Sequence, residues 1–273
     1  MAEAWGFYTD TTVCIGCKAC EVACKEWNQL PSTNGGDNVL SGMSYDNTLK
    51  LDGTHWRHVK FIEDFNESDP LRTGGRWLMM SDVCKHCVQA GCLEVCPTGA
   101  IIRTEFDTVV IQADVCNGCR YCIAACPFDV IGINEVTGTA QKCTLCYDRM
   151  SAGMTPACAQ ACPTASIQFG KISDLMDRAD KRLATLQAGG NRTAMIYGKE
   201  NILGGLNSFY LLNDRPEVYG LPPAPELPTR NLGLSWLAGA GSAVVAGVAA
   251  LLSLRKARMD EMAAPRAREE VQR

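Results

Sequence analysis

The stretch Cys116-Asn117-Gly118-Cys119-Arg120-Tyr121-Cys122-Ile123-Ala124-Ala125-Cys126-Pro127 decides how this chain is read. Its cysteines are spaced C-x2-C-x2-C-x3-C and close on proline, the run that holds a [4Fe-4S] cluster. The same spacing opens the chain at Cys14, Cys17, Cys20 and Cys24, and two looser versions follow: Cys84, Cys87, Cys92, Cys96 and Cys143, Cys146, Cys158, Cys162. These four groups use all 16 cysteines of the 273 residues, so none is left over for another purpose. The last three groups end in Cys-Pro: Cys96-Pro97, Cys126-Pro127 and Cys162-Pro163.

Three thiolates two residues apart on a tight loop reach three corners of one iron-sulfur cube, whereas the fourth lies about one helical turn further on and points away. A second cube takes that fourth ligand. Two groups that exchange their last ligands make one two-cluster unit of the ferredoxin kind, and groups two and three follow each other closely enough to form one. Groups one and four pair by elimination, closing an outer unit around an inner one. By this pattern the sets are Cys14, Cys17, Cys20, Cys162; Cys24, Cys143, Cys146, Cys158; Cys84, Cys87, Cys92, Cys126; and Cys96, Cys116, Cys119, Cys122. Four [4Fe-4S] clusters are expected, with the sixteen cysteines as iron ligands.

Two other readings of the cysteines compete. Structural zinc also uses C-x2-C, but it joins two separated pairs and has no use for a third cysteine at +6 and a fourth at +10. A disulfide framework suits a small domain that lacks a core, and a chain with 47% hydrophobic content does not need one. Cys-x-x-Cys-His, the attachment motif of c-type haem, does not occur.

A formal charge of −4 argues against a nucleic-acid partner, which would require a basic face. Lys18, Lys85, Arg120 and Lys142 each sit beside a cysteine ligand. They either offset the negative charge of a thiolate-held cube or are ordinary solvated side chains. His86 either hydrogen-bonds to a cluster sulfur or is structural, and the structural role is the ordinary expectation. No nucleophile constellation, phosphate-binding loop or dinucleotide fingerprint is present, so no catalytic residue is assigned and the chain is read as a conductor, not an enzyme.

Leu232 to Leu254 carries no charge and is long enough to cross a hydrocarbon core of about 30 Å as one helix. Gly239, Ala243 and Gly247 form a small-residue stripe that admits another membrane helix, and Trp236 suits an interfacial anchor. Arg255, Lys256, Arg258, Arg266, Arg268 and Arg273 follow the span, which predicts a cytoplasmic C-terminus and a cluster domain on the extracytoplasmic side of the cell membrane. Met1 to Thr12 has neither an apolar signal core nor twin arginines, so export is expected to be as a folded passenger on a partner.

The expected fold is α+β: two nested ferredoxin-like two-cluster modules with insertions, plus one C-terminal transmembrane helix. The tandem domain covers 1–170, with an insertion at 25–83 containing a Gly/Asn-rich stretch (Ser32 to Asn38) and a strand over His55 to Phe61. Cys24 is followed by Lys25-Glu26-Trp27 and not proline, so its helix is expected to run on. Ala100 to Arg103 and Thr108 to Ile111 predict a hairpin, and the eleven residues after Cys146 predict a surface loop. Residues 171–231 are expected to hold a helix capped by Ser173, with Leu175, Met176, Ala179, Leu183 and Leu186 on its packing face, a partner-contacting segment, and a Pro-rich linker from Leu221 to Pro228. The span at 232–254 and a basic tail at 255–273 complete the chain.

The opening run Cys14 to Asn28, the group Cys84-Lys85-His86-Cys87, the segment Pro216 to Pro222 and the single C-terminal span resemble the iron-sulfur β subunit of membrane-bound respiratory formate dehydrogenase. The cysteine plan alone is shared by electron-transfer subunits of many molybdopterin oxidoreductases. The resemblance implies a molybdopterin or tungstopterin catalytic subunit that oxidises formate, and an integral membrane cytochrome b or quinone-reactive subunit that takes the electrons at the lipid. The same role in another pterin oxidoreductase or a membrane-bound hydrogenase is the alternative. Some relatives replace a group-three cysteine by an aromatic residue and hold a [3Fe-4S] cluster; Cys119 is present here, so four cubanes are implied.

Overall fold

Each cysteine group begins on a loop and ends on a helix, and the residue after the last cysteine sets how long that helix is. In group one, α1 (Ala19–Trp27) carries Cys24 within it and continues for nine residues, because Lys25 stands where the other groups have proline. In the other three the helices are single turns: α2 (Gly91–Glu94), α3 (Tyr121–Ala124) and α5 (Ala157–Gln160). Proline cannot donate to the ladder behind it, so the chain turns away past the fourth cysteine. The computed structural model describes residues 3–31, 45–46, 48–65 and 75–263; Ser32 to Asn38 and the last ten residues of the basic tail lie outside them.

Beyond each proline the chain enters a strand, as the repeat predicts. β4 (Ile101–Arg103) pairs with β5 (Val109–Ile111), the predicted hairpin, and β6 (Gly132–Asn134) pairs with β7 (Thr139–Gln141). The third such strand, β8 (Ile167–Lys171), has no local partner. It pairs antiparallel with β1 (Trp5–Asp10), the strand that precedes group one, and α1 packs on α5. The first and last cysteine groups are thereby brought together.

The insertion is a hairpin, β2 (Arg57–Phe65) with β3 (Gly75–Val83), starting two residues later and ending four residues later than the alternation predicts. It is anchored on α1: the Glu21 carboxylate accepts from the backbone N–H of Val59, and His58 lies 3.4 Å from the same carboxylate. The eleven residues after Cys146 are not a plain loop. They contain α4 (Tyr147–Ser151), which meets the extension of α1, where Trp27 Nε1 donates to Asp148 (2.8 Å) and the Arg149 guanidinium lies 4.1 Å from the Trp27 ring centroid. The two departures from the cysteine plan are therefore one contact.

Residues after 171 complete the same unit. α6 (Ile172–Ala188) follows β8 directly, held by Ile172 N–H donating to Ala4 C=O, so Ser173 lies inside the helix and does not cap it. Leu175 and Ala179 are fully buried on the predicted face; burying a leucine contributes about 1.5–3 kcal/mol. β9 (Met195–Tyr197) and β10 (Ser208–Leu212) extend the sheet to the order β8-β1-β10-β9, with β10 parallel to β1. Alternation along β1 sends Phe7 into the core around the cysteines and Tyr8 into a second core with Leu175, Phe209 and Leu211. The unit spans Met1–Leu227.

Pro228–Arg273 is a separate unit built on α7 (Leu232–Ala263). Its mean hydropathy reaches 2.0, and it is long and apolar enough to cross a membrane. The helix continues past Leu254 into the charged segment, so its 32 residues reach roughly 48 Å, more than a hydrocarbon core requires.

Candidate metal centres

The cysteine loops are bent by residues in the left-handed region. In group one these are Gly16 (φ 65°) and Lys18 (φ 60°), and in group three Gly118 (φ 71°) and Arg120 (φ 68°), at the same positions between the cysteines. A Cβ on Gly118 would come within 2.4 Å of the Gly138 carbonyl, so that position needs glycine for space as well as for φ, whereas Gly16 faces the side-chain ends of Phe61 and Met79. His86 in group two and Leu145 and Cys146 in group four also have positive φ. Successive N–H groups in such turns point inward, a concavity suited to an anion.

Two of the predicted sets line cavities. Cys14, Cys17, Cys20 and Cys162 line one pocket, walled by Val59 and Ser81 of the inserted hairpin. Cys84, Cys87, Cys92 and Cys126 line another, with Lys85, His86 and Phe128 in the wall. The other two sets are brought together as electrostatic neighbours: Cys24 with Cys143, Cys158 and Cys146, and Cys122 with Cys116, Cys119 and Cys96. Neighbouring sets are also electrostatic neighbours, through Cys20 and Cys158, Cys143 and Cys84, and Cys92 and Cys122, so the sets adjoin in the order first, second, third and fourth.

Among the described residues, no three His, Cys, Asp or Glu side chains converge on the point of a single ion. Burial, followed by the charge of neighbouring sulfurs, pushes the thiols of Cys20, Cys92 and Cys143 up to about 12. Four thiolates in such a place fit a partner that brings its own positive charge, as an iron-sulfur core does. Cys96 goes the other way: its slight burial is outweighed by N–H groups of Ile101 and Thr98 and by the Thr98 hydroxyl, which hold it below the ordinary thiol value. The same threonine follows Cys162-Pro163, with Thr164 Oγ1 3.8 Å from the sulfur.

The cations beside the cysteines fall into two kinds. Lys85 and Lys142 are 1% and 2% exposed, which rules out the solvated reading for both, whereas Arg120 is exposed and Lys18 is partly so. Lys85 pairs with Asp82 and lies 4.9 Å from the Tyr210 ring centroid; Lys142 donates to the carbonyls of Val109 and Cys143. His86 is buried and kept neutral, by burial first and then by the charge of Lys142. Its Nδ1 accepts from Val109 N–H at 3.1 Å, which leaves the proton on Nε2.

The cysteine pattern gave no sign of Arg57, at the start of β2. Burial alone would lower its pKa, but the sulfurs of Cys158, Cys20 and Cys143 outweigh that and hold it above the ordinary value. The alternation of the inserted strand was the available signal, since a charged residue on the inward side of a half-buried strand asks for a counter-charge.

Short cysteine helices turned by proline, paired hairpins and cavities ringed by four sulfurs define an iron-sulfur protein of the ferredoxin type. Known families agree: the profile described as a 4Fe-4S dicluster domain matches residues 75–172, and another of the same description matches residues 13–100. The formate dehydrogenase iron-sulfur subunit of Haemophilus influenzae is 42% identical over 222 residues, covering 80% of this chain and 68% of that protein. The nitrate-inducible formate dehydrogenase iron-sulfur subunit of Escherichia coli is 41% identical over 224 residues, 81% of this chain and 73% of its own length. A subunit of the anaerobic dimethyl sulfoxide reductase of Escherichia coli is 35% identical over 175 residues, 64% of this chain and 77% of its own length. The chain belongs to the family of formate dehydrogenase iron-sulfur subunits.

Proposed function

We propose that this chain carries electrons through four [4Fe-4S] clusters, from a molybdenum or tungsten pterin subunit that oxidises formate to a cytochrome b or other quinone-reactive subunit in the membrane. The observation that supports this reading is that the cysteines of two proposed sets line a pocket together and those of the other two are electrostatic neighbours of one another. The ligand sets are Cys14, Cys17, Cys20, Cys162; Cys24, Cys143, Cys146, Cys158; Cys84, Cys87, Cys92, Cys126; and Cys96, Cys116, Cys119, Cys122. Pairing of β1 with β8 and of α1 with α5 supports an outer two-cluster module, groups one and four, nested around an inner one.

Bound there, the clusters would supply one-electron acceptors and donors with no other chemistry. The chain's own residues do the rest. Cysteines fix the position of each centre, the two apolar cores exclude water, and Lys85, Lys142 and the Nε2–H of His86 oppose negative charge at the buried sets. No residue is assigned a role in bond making, so catalysis belongs to the partner. α7 is read as a single-pass anchor in the cell membrane, with a cytoplasmic C-terminus and the cluster unit outside, on the strength of its apolar length and the basic residues that follow it.

Iron and acid-labile sulfide analysis of anaerobically purified protein should give about sixteen irons per chain, with zinc below one equivalent. A colourless, iron-free sample would end the reading. Isolation of the complex through α7, followed by formate-dependent dye reduction, tests the partner. The identity to a dimethyl sulfoxide reductase subunit keeps one alternative, the same role beside another pterin enzyme, which activity on a substrate other than formate would favour.

A further inference from the structure

Arg57 is 2% exposed and forms no ion pair with any described carboxylate. Its Nη1 donates to Ser81 Oγ at 2.9 Å, and that oxygen lies 3.2 Å from Cys20 Sγ. Its Cζ lies 4.9 Å from the ring centroid of Phe7, which packs one face of the guanidinium. Nε and Nη2 are buried and have no hydrogen-bond partner among the described residues. A buried guanidinium with two bare N–H edges needs both an acceptor and a counter-charge, and the charged groups around it are sulfurs: Cys20 of the first set, Cys158 and Cys143 of the second.

Resting on the ligand sets proposed above, we infer that Arg57 is a positioning residue of the electron path, set between the first and second clusters and donating from Nε and Nη2 to their sulfurs. Reduction adds one negative charge to a cluster. A fixed cation in a water-poor gap favours the reduced form of whichever cluster it faces, and Arg57 faces two. It therefore raises both potentials together and leaves the difference between them little changed. Lysine could not replace it in full, because a point charge lacks the planar fork that serves two acceptors on different sides. The hairpin insertion thereby gains a function that the distance in sequence of Arg57 from any cysteine conceals.

The test uses the full-length chain in its complex, purified anaerobically. Iron and sulfide are assayed first, so that a protein without clusters, which would defeat the parent reading, is told apart from a failure of this one. In Arg57→Met, potentiometry followed by EPR is expected to show two of the four centres at least tenfold harder to reduce, about 59 mV for one electron, with the other two unmoved. Arg57→Lys should recover part of that shift. A fully loaded Arg57→Met protein with no shift, or with the same shift at every centre, overturns the inference. Should Arg57→Met lose its clusters, the decision passes to unsubstituted protein carrying 15N-guanidinium arginine. A 15N hyperfine coupling to a reduced cluster that disappears in Arg57→Lys supports the inference, and absence of the coupling in the unsubstituted protein overturns it.

Discussion

The middle of the row of cysteine sets and its two ends are built differently. All four cysteines of the second set, Cys24, Cys143, Cys146 and Cys158, are buried, and none of the third is exposed. Each end set has an exposed member, Cys17 at one and Cys119 at the other. Exposed apolar side chains lie close to both in sequence: Ile15 and Val22 are 58% and 60% exposed near Cys17, and Tyr121 is 62% exposed near Cys119. The buried cations Arg57, Lys85 and Lys142 all belong to the interior, while Arg120 sits in the open at one end. Insulation in the middle with access at both ends is what a conductor between two partners requires, since a one-ended store would need only one exposed set.

The largest effect is expected where a ligand is removed from the middle. Cys158 is 3% exposed and acts on both Cys20 and Arg57, so Cys158→Ala removes a proposed ligand and deprives a buried guanidinium of a counter-charge. Because metal binding is folding free energy in such proteins, iron per chain should fall below about half of the unsubstituted value, taking more than one cluster. At the exposed end the loss should stay local. Cys119→Ala should keep three intact [4Fe-4S] centres and leave the fourth as a three-iron centre or empty. Integrated EPR of reduced protein checks both, and four intact centres in Cys119→Ala would refute the ligand sets.

Much of this contrast was legible in the cysteine spacing and little of it in the rest of the chain. The spacing, the prolines and the missing proline after Cys24 foretell α1, α2, α3, α5 and the strands that follow, because each of those features acts within a few residues of its cause. The role of β10 was hidden for the opposite reason. Phe209, Tyr210, Leu211 and Leu212 are all fully buried, yet their strand pairs in parallel with β1, two hundred residues earlier, and no local pattern marks that partner. Arg57 shows the same limit at a site: its sulfur neighbours come from groups one and four, and only the closed fold makes them neighbours. Lys85 and Lys142 were visible as cations beside cysteines, but the groups that meet them away from solvent, Tyr210 at Lys85 and Val109 at Lys142, come from distant parts of the chain.

The smallest effects set the two environments side by side through charge alone. Lys142 acts on Cys84 and Cys92 of the third set and on Cys143 of the second, and its ammonium is held on two carbonyls away from solvent. Lys142→Met should therefore lower the potentials of those two centres, by about 59 mV each if the change is tenfold. Arg120 carries the same formal charge beside Cys119, but it is exposed, and water and salt screen an exposed charge within about 8–10 Å at ordinary ionic strength. Arg120→Gln should shift no centre by more than about a third of the Lys142→Met effect, and raising the salt concentration should erase even that. Potentiometry of the two variants at low and high salt compares them directly. A shift at Arg120 that equalled the one at Lys142 and survived salt would mean that this end of the row is as dry as its middle, and the contrast between them would fall.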